Sequence, residues 1–355
     1  MDEAGSLVLK LLGKSPVSTI RICAGKNSRV YLVECDKGDV FAVKFYLHPI
    51  ADGRNRLEQE WAALSFMEKA GISTVPKPIA CDHELQGGVY SFLDGKRILG
   101  RKGHEVAELL DFINELKVHS AGNGALDVGL AAEACLSPSD LVGNILQRKE
   151  KLDRLPNSDE LFAEMHKFLD GRFSVDFGES FKAAKETFLG ERWDEKLPHE
   201  KRTLSPSDFG FHNVLERDDG RLVFLDFEYF GWDDPVKATS DFLLHPAMTL
   251  SDNEVREFYE GMKKIFATDE DFEERFKVFL PLFRLKWCLI LLNEFFNDAL
   301  NRRRFASGSE ETDQDMRRRQ LTKAQRFLSK DKEIFGVLFP EERVGRVTRK
   351  INMAQ

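Results

Sequence analysis

The side chains best suited to chemistry lie in SDFGFHNVLERDDGRLVFLDFEYFGWDDP, residues 207–235. Asp219-Gly220 is the signature of a two-residue type I′ turn between the apolar strands NVLE and RLVFLD. With Asp218 facing Arg221, paired residue numbers sum to 439, which sets Asn213 directly opposite Asp226, Cα atoms about 4.5–5.5 Å apart. An amide oxygen and a carboxylate converging in this way suit Mg²⁺, which takes one or two protein oxygens and completes its shell with phosphate and water. The alternative is that both residues merely end their strands. That alternative leaves Asp208 unexplained, since it precedes Asn213 by five residues and a loop would place it near the same point.

Upstream, Lys44 lies in the middle of the apolar strand FAVKFY, where an unpaired ammonium costs several kcal/mol. Its partner is expected on the helix that follows. Glu60 falls three residues after Leu57 and four before Leu64, on the apolar stripe, and faces inward; Glu58 is the weaker choice. Such a pair is either an internal salt bridge or the device that holds a lysine against the α- and β-phosphates of ATP. Ahead of it, Gly25-Lys26-Asn27-Ser28 joins two strands. Gly25, Asn27 and Ser28 belong either to a loop that covers phosphate with backbone N–H groups or to an ordinary hairpin turn.

These residues need two kinds of scaffold. From Ser18 to Leu47 the runs STIRICA, RVYLVEC and VFAVKFYL, broken by GKNS and DKGD, read as an antiparallel meander. Apolar residues at 57, 61, 64 and 67 ahead of Gly71 predict an amphipathic helix, and two short strands follow. From Gly103 onward the period is helical, with helices expected near 104–119, 139–153, 158–170, 178–188, 252–266 and 270–300, a β interruption at 213–226 and a polar loop at 306–316. The order is α+β, with a β-rich lobe over 1–94 and a helical lobe over 95–355.

An aspartate, an asparagine five residues on, and an aspartate ending the next strand, all downstream of a paired strand lysine, follow the catalytic order of kinases. On FAVKFY, LEQEWAALSFMEKAGISTVPKPIA, SPSDFGFHNVL and VFLDFEYFGWDDP, most of the chain resembles the aminoglycoside phosphotransferase and choline kinase-like family. The resemblance implies a two-lobed, protein-kinase-like fold. It implies Lys44 on the ATP phosphates, Glu60 on Lys44, Asp208 as catalytic base and Asn213 with Asp226 on Mg²⁺. The expected reaction is transfer of the γ-phosphoryl group to a hydroxyl of a sugar, aminoglycoside or similar small molecule. One departure is Pro206, which stands where the family has a histidine; a locked φ replaces that scaffold by another route.

Rivals are a choline- or ethanolamine-type kinase, favoured by DFEY and the nearby acids and aromatics, and an inactive pseudokinase, suggested only by Pro206 and the sparse glycine loop. A protein kinase is disfavoured, because Phe227 to Pro235 is too short for an activation segment. For the acceptor, Glu228 is either a ligand of metal or amine or an ion-paired acid. Trp232 and Tyr229 either cap an ammonium or fill the core. Arg284 and Lys286 either pair internally or line a pocket for an anion. Asp234 before Pro235 reads as a helix N-cap. The acceptor pocket is expected between the loop after Asp226 and the 279–300 helix.

Composition removes other classes. The 355 residues are 42% hydrophobic, ample for a folded core, and the net charge of −8 opposes nucleic acid or an anionic membrane as partner. The runs at Arg302–Arg304 and Arg317–Arg319 read as solvated helix ends. Five scattered cysteines form no CxxC pair, so neither zinc nor a disulfide framework is expected. Val278 to Leu292 is broken by Pro281, Arg284 and Lys286 and reads as a buried helix. The acidic N-terminus lacks the form of a secretion signal, which favours the cytoplasm.

Overall fold

A computed structural model describes residues 2–22, 28–48, 53–301 and 311–341. The first lobe is a five-stranded antiparallel sheet of β1 (Pro16–Ile22), β2 (Ser28–Cys35), β3 (Val40–Tyr46), β4 (Pro78–Asp82) and β5 (Gly87–Ser91), in the order β1-β2-β3-β5-β4. Period-two alternation splits β3 between two environments. Phe41, Val43 and Phe45 pack under α1 (Glu3–Leu12) with Leu7, Val8 and Val89. Ala42, Lys44 and Tyr46 therefore take the other face, towards α2 (Arg56–Lys69) and the second lobe. Helix α1 is an element the sequence reading did not anticipate. It is capped by Asp2, which accepts the Gly5 N–H at 2.8 Å, and by Gly13 at φ 65°.

Asn55 caps α2, accepting the Glu58 N–H, and the helix buries Leu57, Glu60, Ala63, Leu64 and Met67 on one stripe. Its outer side reaches the second lobe: Gln59 Nε2 donates to the Phe230 carbonyl at 2.8 Å. Gly88 pairs with Lys44 in the sheet, and a Cβ there would lie 2.4 Å from the Tyr90 hydroxyl, so only glycine admits that ring.

The second lobe begins with β6 (Lys96–Arg97), α3 (Glu105–Ser120), α4 (Pro138–Asp153), α5 (Glu160–Phe168) and α6 (Ser174–Thr187). It continues through β7 (Thr203–Ser205), β8 (Val214–Glu216), β9 (Leu222–Phe224), β10 (Gly231–Asp233) and α7 (Pro235–Leu244), and ends in α8 (Asp252–Ile265), α9 (Phe272–Leu291), α10 (Asp313–Phe327) and α11 (Lys330–Leu338). The small sheets β6-β8-β9 and β7-β10 hold the 203–233 segment over a phenylalanine core, in which Phe112 stacks on Phe224 at 4.2 Å. The expected internal helix is α9, buried along most of its length with Pro281 inside it. The expected polar loop is corrected from residue 313, where α10 starts. Arg317–Arg319 lie inside α10 rather than at its end. Among the described residues no helix is long and apolar enough to cross a membrane.

The β8–β9 register also differs from expectation. Val214 pairs with Phe224 and Glu216 with Leu222, a sum of 438. Arg217 and Arg221 close a three-residue loop with Gly220 at φ 84°, a type I turn followed by a left-handed residue. The slip of one residue places Asn213 opposite Leu225, whose N–H donates to the Asn213 carbonyl at 2.9 Å.

Candidate active site

Lys44 and Glu60 meet as expected. Lys44 Nζ donates to Glu60 Oε2 at 2.6 Å and to Asp226 Oδ1 at 2.7 Å, and Glu228 Oε2 lies 3.7 Å away. Glu58 instead faces His83 near the surface. Tyr46, on the same face of β3 as Lys44, donates to Glu60 Oε2 at 2.7 Å, and Tyr90 donates to the Tyr46 oxygen at 2.8 Å. The Phe227 N–H holds Glu60 Oε1 at 3.3 Å. Burial alone would depress the lysine; the Asp226, Glu60 and Glu228 carboxylates outweigh it and hold the ammonium well above the ordinary lysine range.

Burial and then the Asp226 carboxylate push Glu228 up to about 7, against the pull of Lys44 and Arg56. The carboxylate oxygens of Glu60, Asp226 and Glu228 lie within 4.8 Å of one another. When Glu228 is ionised, these three carboxylates face two cations, Lys44 and Arg56, the latter 3.6 Å from Glu228. The cluster therefore carries one negative charge in excess at a point where hard oxygen donors converge, which fits a divalent cation. Asp226 sits at φ 69°, a left-handed conformation uncommon outside glycine, as does Ser207 at φ 63° beside Asp208.

Asp208 is gripped from two directions. His212 Nε2 lies 3.1 Å and His245 Nε2 3.0 Å from the same oxygen, Oδ1. An ionised carboxylate only accepts, so both imidazoles donate. Burial alone would raise this carboxyl; the two histidine hydrogen bonds outweigh it and hold Asp208 well below the ordinary carboxylate range. Asn213 Nδ2 donates to the Asp208 carbonyl at 2.8 Å, which fixes the amide and leaves its Oδ1 as the atom able to bind a cation.

At three residues offered for the acceptor, the structure shows the other alternative. Trp232 is a core residue of β10, its Nε1 donating to the Ala125 carbonyl at 3.0 Å. Arg284 is 2% exposed and pairs with Asp176 at 2.6 Å and Asp331 at 3.2 Å, so it braces helices rather than lining a pocket. Glu228 faces Lys44 and Arg56 instead of an amine. Asp233 and Asp241 are likewise engaged, by Lys237 at 2.9 and 2.8 Å. Asp234 is the N-cap of α7, as expected, and is held by Arg275. Ser28 is buried at the start of β2 opposite Tyr46; Gly25 and Asn27 lie outside the described residues. The sequence reading missed Tyr46, Arg56, His212 and His245. Tyr46 is two residues from Lys44 and His212 four from Asp208, spacings that carry a signal; Arg56 and His245 carry none.

The phosphotransferase enzyme family model matches residues 19–271, and the chain belongs to that family, whose members move a phosphoryl group onto a hydroxyl of a small molecule. No curated protein sequence matches it. Among solved structures, a spectinomycin phosphotransferase in complex with ADP and spectinomycin is 13% identical, with a TM-score of 0.56 over 90% of this chain and 97% of that one. Choline kinase from Cryptosporidium parvum is 13% identical, with a TM-score of 0.52 over 90% and 91%. Plasmodium vivax ethanolamine kinase is 16% identical, with a TM-score of 0.55 over 88% and 84%. At these identities the likeness establishes the two-lobed kinase-like fold.

Proposed function

We propose that this enzyme transfers the γ-phosphoryl group of ATP, with Mg²⁺, to a hydroxyl of a polyhydroxylated small molecule that carries no fixed positive charge. The observation that carries the reading is the Lys44–Glu60–Asp226 contact between the lobes, with Asp208 and Asn213 on the adjoining loop. Lys44, held by Glu60 and Tyr46, neutralises phosphate. Asn213 and Asp226 would hold the metal, with Glu228 beside them; when bound, it supplies positive charge to the phosphate oxygens. Asp208 orients the acceptor hydroxyl and takes its proton. The nucleotide belongs between the lobes divided near residue 94, and the acceptor enters from the helical side. The net charge of −8 opposes nucleic acid or an anionic membrane as a partner.

The acceptor class follows from the charges near Asp208. The acids expected to attract an amine are each engaged by a protein cation: Glu228 by Lys44 and Arg56, Asp233 and Asp241 by the one Lys237. Of the two aromatics that could cap an ammonium, Trp232 is in the core and Tyr229 lies under Arg54 and Arg56. Elsewhere Arg54, Arg148 and Lys286 all converge on Glu133 and hold it ionised. Trp287 on α9 lies with its ring edge-on to His245 at 4.9 Å, and His245 in turn contacts the base. The test is ADP release from Mg²⁺-ATP with pooled sugars, sugar acids, nucleosides, aminoglycosides and amino alcohols. Turnover on neutral or acidic polyols is expected; selective turnover of choline or ethanolamine would refute the acceptor class.

A further inference from the structure

Pro206 occupies the position from which a side chain could hold the catalytic loop, and it has no donor to offer. Its carbonyl accepts the Asp208 N–H at 2.8 Å, and Ser205 Oγ accepts the Ser207 N–H at 3.1 Å, so upstream contacts fix only backbone. The carboxylate is held from downstream. His245 follows the last residue of α7 and is 6% exposed. The Ala247 N–H donates to its Nδ1 at 3.2 Å, so Nδ1 carries the lone pair and Nε2 the proton that goes to Asp208. His212 stacks on it, ring centroids 4.0 Å apart and nearly parallel. Three residues on, Met248 Sδ accepts the Phe211 N–H at 3.2 Å, and a Cβ at Gly210 would lie 2.5 Å from that sulfur. The turn after α7 thus touches the catalytic loop at two points.

Helix α7 is itself anchored along its length. Asp234 at its start is tied to Arg275, Lys237 bridges Asp233 of β10 and Asp241, and Trp287 of α9 donates to Asp241 at 2.9 Å. His245 is delivered to one place by these contacts.

We propose that His245 is a positioning residue for the base, holding Asp208 Oδ1 so that Oδ2 alone meets the acceptor hydroxyl. It takes over the loop-fixing work that Pro206 cannot do through a hydrogen bond. A cation held by Asp208, His212 and His245 would require the opposite tautomer, with a proton on Nδ1 against the Ala247 N–H, and the structure opposes it. The proposal rests on Asp208 being the base.

The experiment compares His245→Gln with His245→Met, side chains of similar length of which only glutamine has an N–H donor. ADP release from Mg²⁺-ATP is measured with water as acceptor, and again with any acceptor found by screening. His245→Met should lower kcat about 10–100-fold with KM for ATP within about twofold, and His245→Gln should recover most of that loss. In an Asp208→Asn background, His245→Met should add less than about a twofold further loss, because it acts through the carboxylate. Two-bond ¹H–¹⁵N NMR of the unaltered protein should show His245 as the Nε2–H tautomer, whatever the acceptor. Equal rates for His245→Gln and His245→Met, additive losses in the double variant, or an Nδ1–H tautomer would each overturn the inference. A silent Asp208→Asn would instead overturn the assignment of the base, which keeps the two failures distinguishable.

Discussion

Replacing Lys44 with methionine removes a cation whose side chain is 10% exposed and which touches Glu60 at 2.6 Å and Asp226 at 2.7 Å. Glu60 and Glu228, at 6% and 1%, are left buried without it, and Arg56 remains as the nearest compensating charge. Breaking a buried pair from one side costs about 3–5 kcal/mol, because the cost is dominated by the stranded partner. Asp226 is 30% exposed and adds less, since water screens it. The loss should therefore fall near 3 kcal/mol at low pH, where Glu228 takes up a proton, and approach 5 kcal/mol above pH 8. Urea denaturation without Mg²⁺ measures it. A cycle with Glu60→Gln isolates the pair, and its coupling energy should be about 1.5–3 kcal/mol. Mg²⁺-ATP should also bind more weakly and react more slowly, since the ammonium acts on ground and transition states together. A coupling below about 0.5 kcal/mol, or unchanged affinity for ATP, would refute the claim that this pair organises the nucleotide site.

Asp208→Asn should lower kcat about 10²–10⁴-fold while KM for ATP moves little, and comparable turnover would remove it as the base. Asp226→Ala should weaken nucleotide binding only when Mg²⁺ is present; calorimetry that gives equal affinities with and without the metal would contradict its role. Glu228 has a folded-state value near 7 against an ordinary value of 4.5, so the folded protein holds the extra proton between those limits. Stability of the metal-free enzyme should therefore fall as pH rises through that window, by about 3 kcal/mol in all, and Glu228→Gln should flatten the profile in thermal denaturation. Arg284→Met should cost about 3 kcal/mol by stranding Asp331, with no selective effect on KM for the acceptor. A selective rise in that KM would restore Arg284 to the pocket.

What the sequence made legible was local. Lys44 and Glu60 could be paired because strand and helix periodicities place both on inward faces, a rule that needs no tertiary information. The register of β8 and β9 could not be settled in this way. Asp219-Gly220 satisfies a two-residue turn as well as the last two positions of a three-residue one, so the sequence of the turn leaves the register open by one residue. Helices α10 and α11 escaped notice for a related reason. The α10 sequence DQDMRRRQLTKAQRF is strongly polar, and its buried face rests on Met316, Leu321, Ala324 and Phe327. The alternatives left open at Trp232 and Arg284 could not be resolved from sequence, because either chemistry suits either face; only the packed lobe shows which face is inside.

The two halves of the site differ in how they are held, and the difference bears on how each can vary. Around Lys44 the supports come from within the sheet lobe and from the segment just after Asp226, so a change in any of Tyr46, Glu60 or Glu228 acts on the same few charges. Around Asp208 the support arrives from His245, at the end of a helix that Lys237, Asp234 and Trp287 tie to two other elements. A substitution in α7 or α9 far from phosphate can then move the base without touching nucleotide affinity. Trp287 serves both ends of that path, since it holds Asp241 through its Nε1 and borders His245 with its ring. Trp287→Phe keeps the ring and deletes the donor, so it separates the two roles. It should lower kcat with ATP affinity intact if the α7 anchor matters to the base, and should leave kcat unaltered if the ring contact alone suffices.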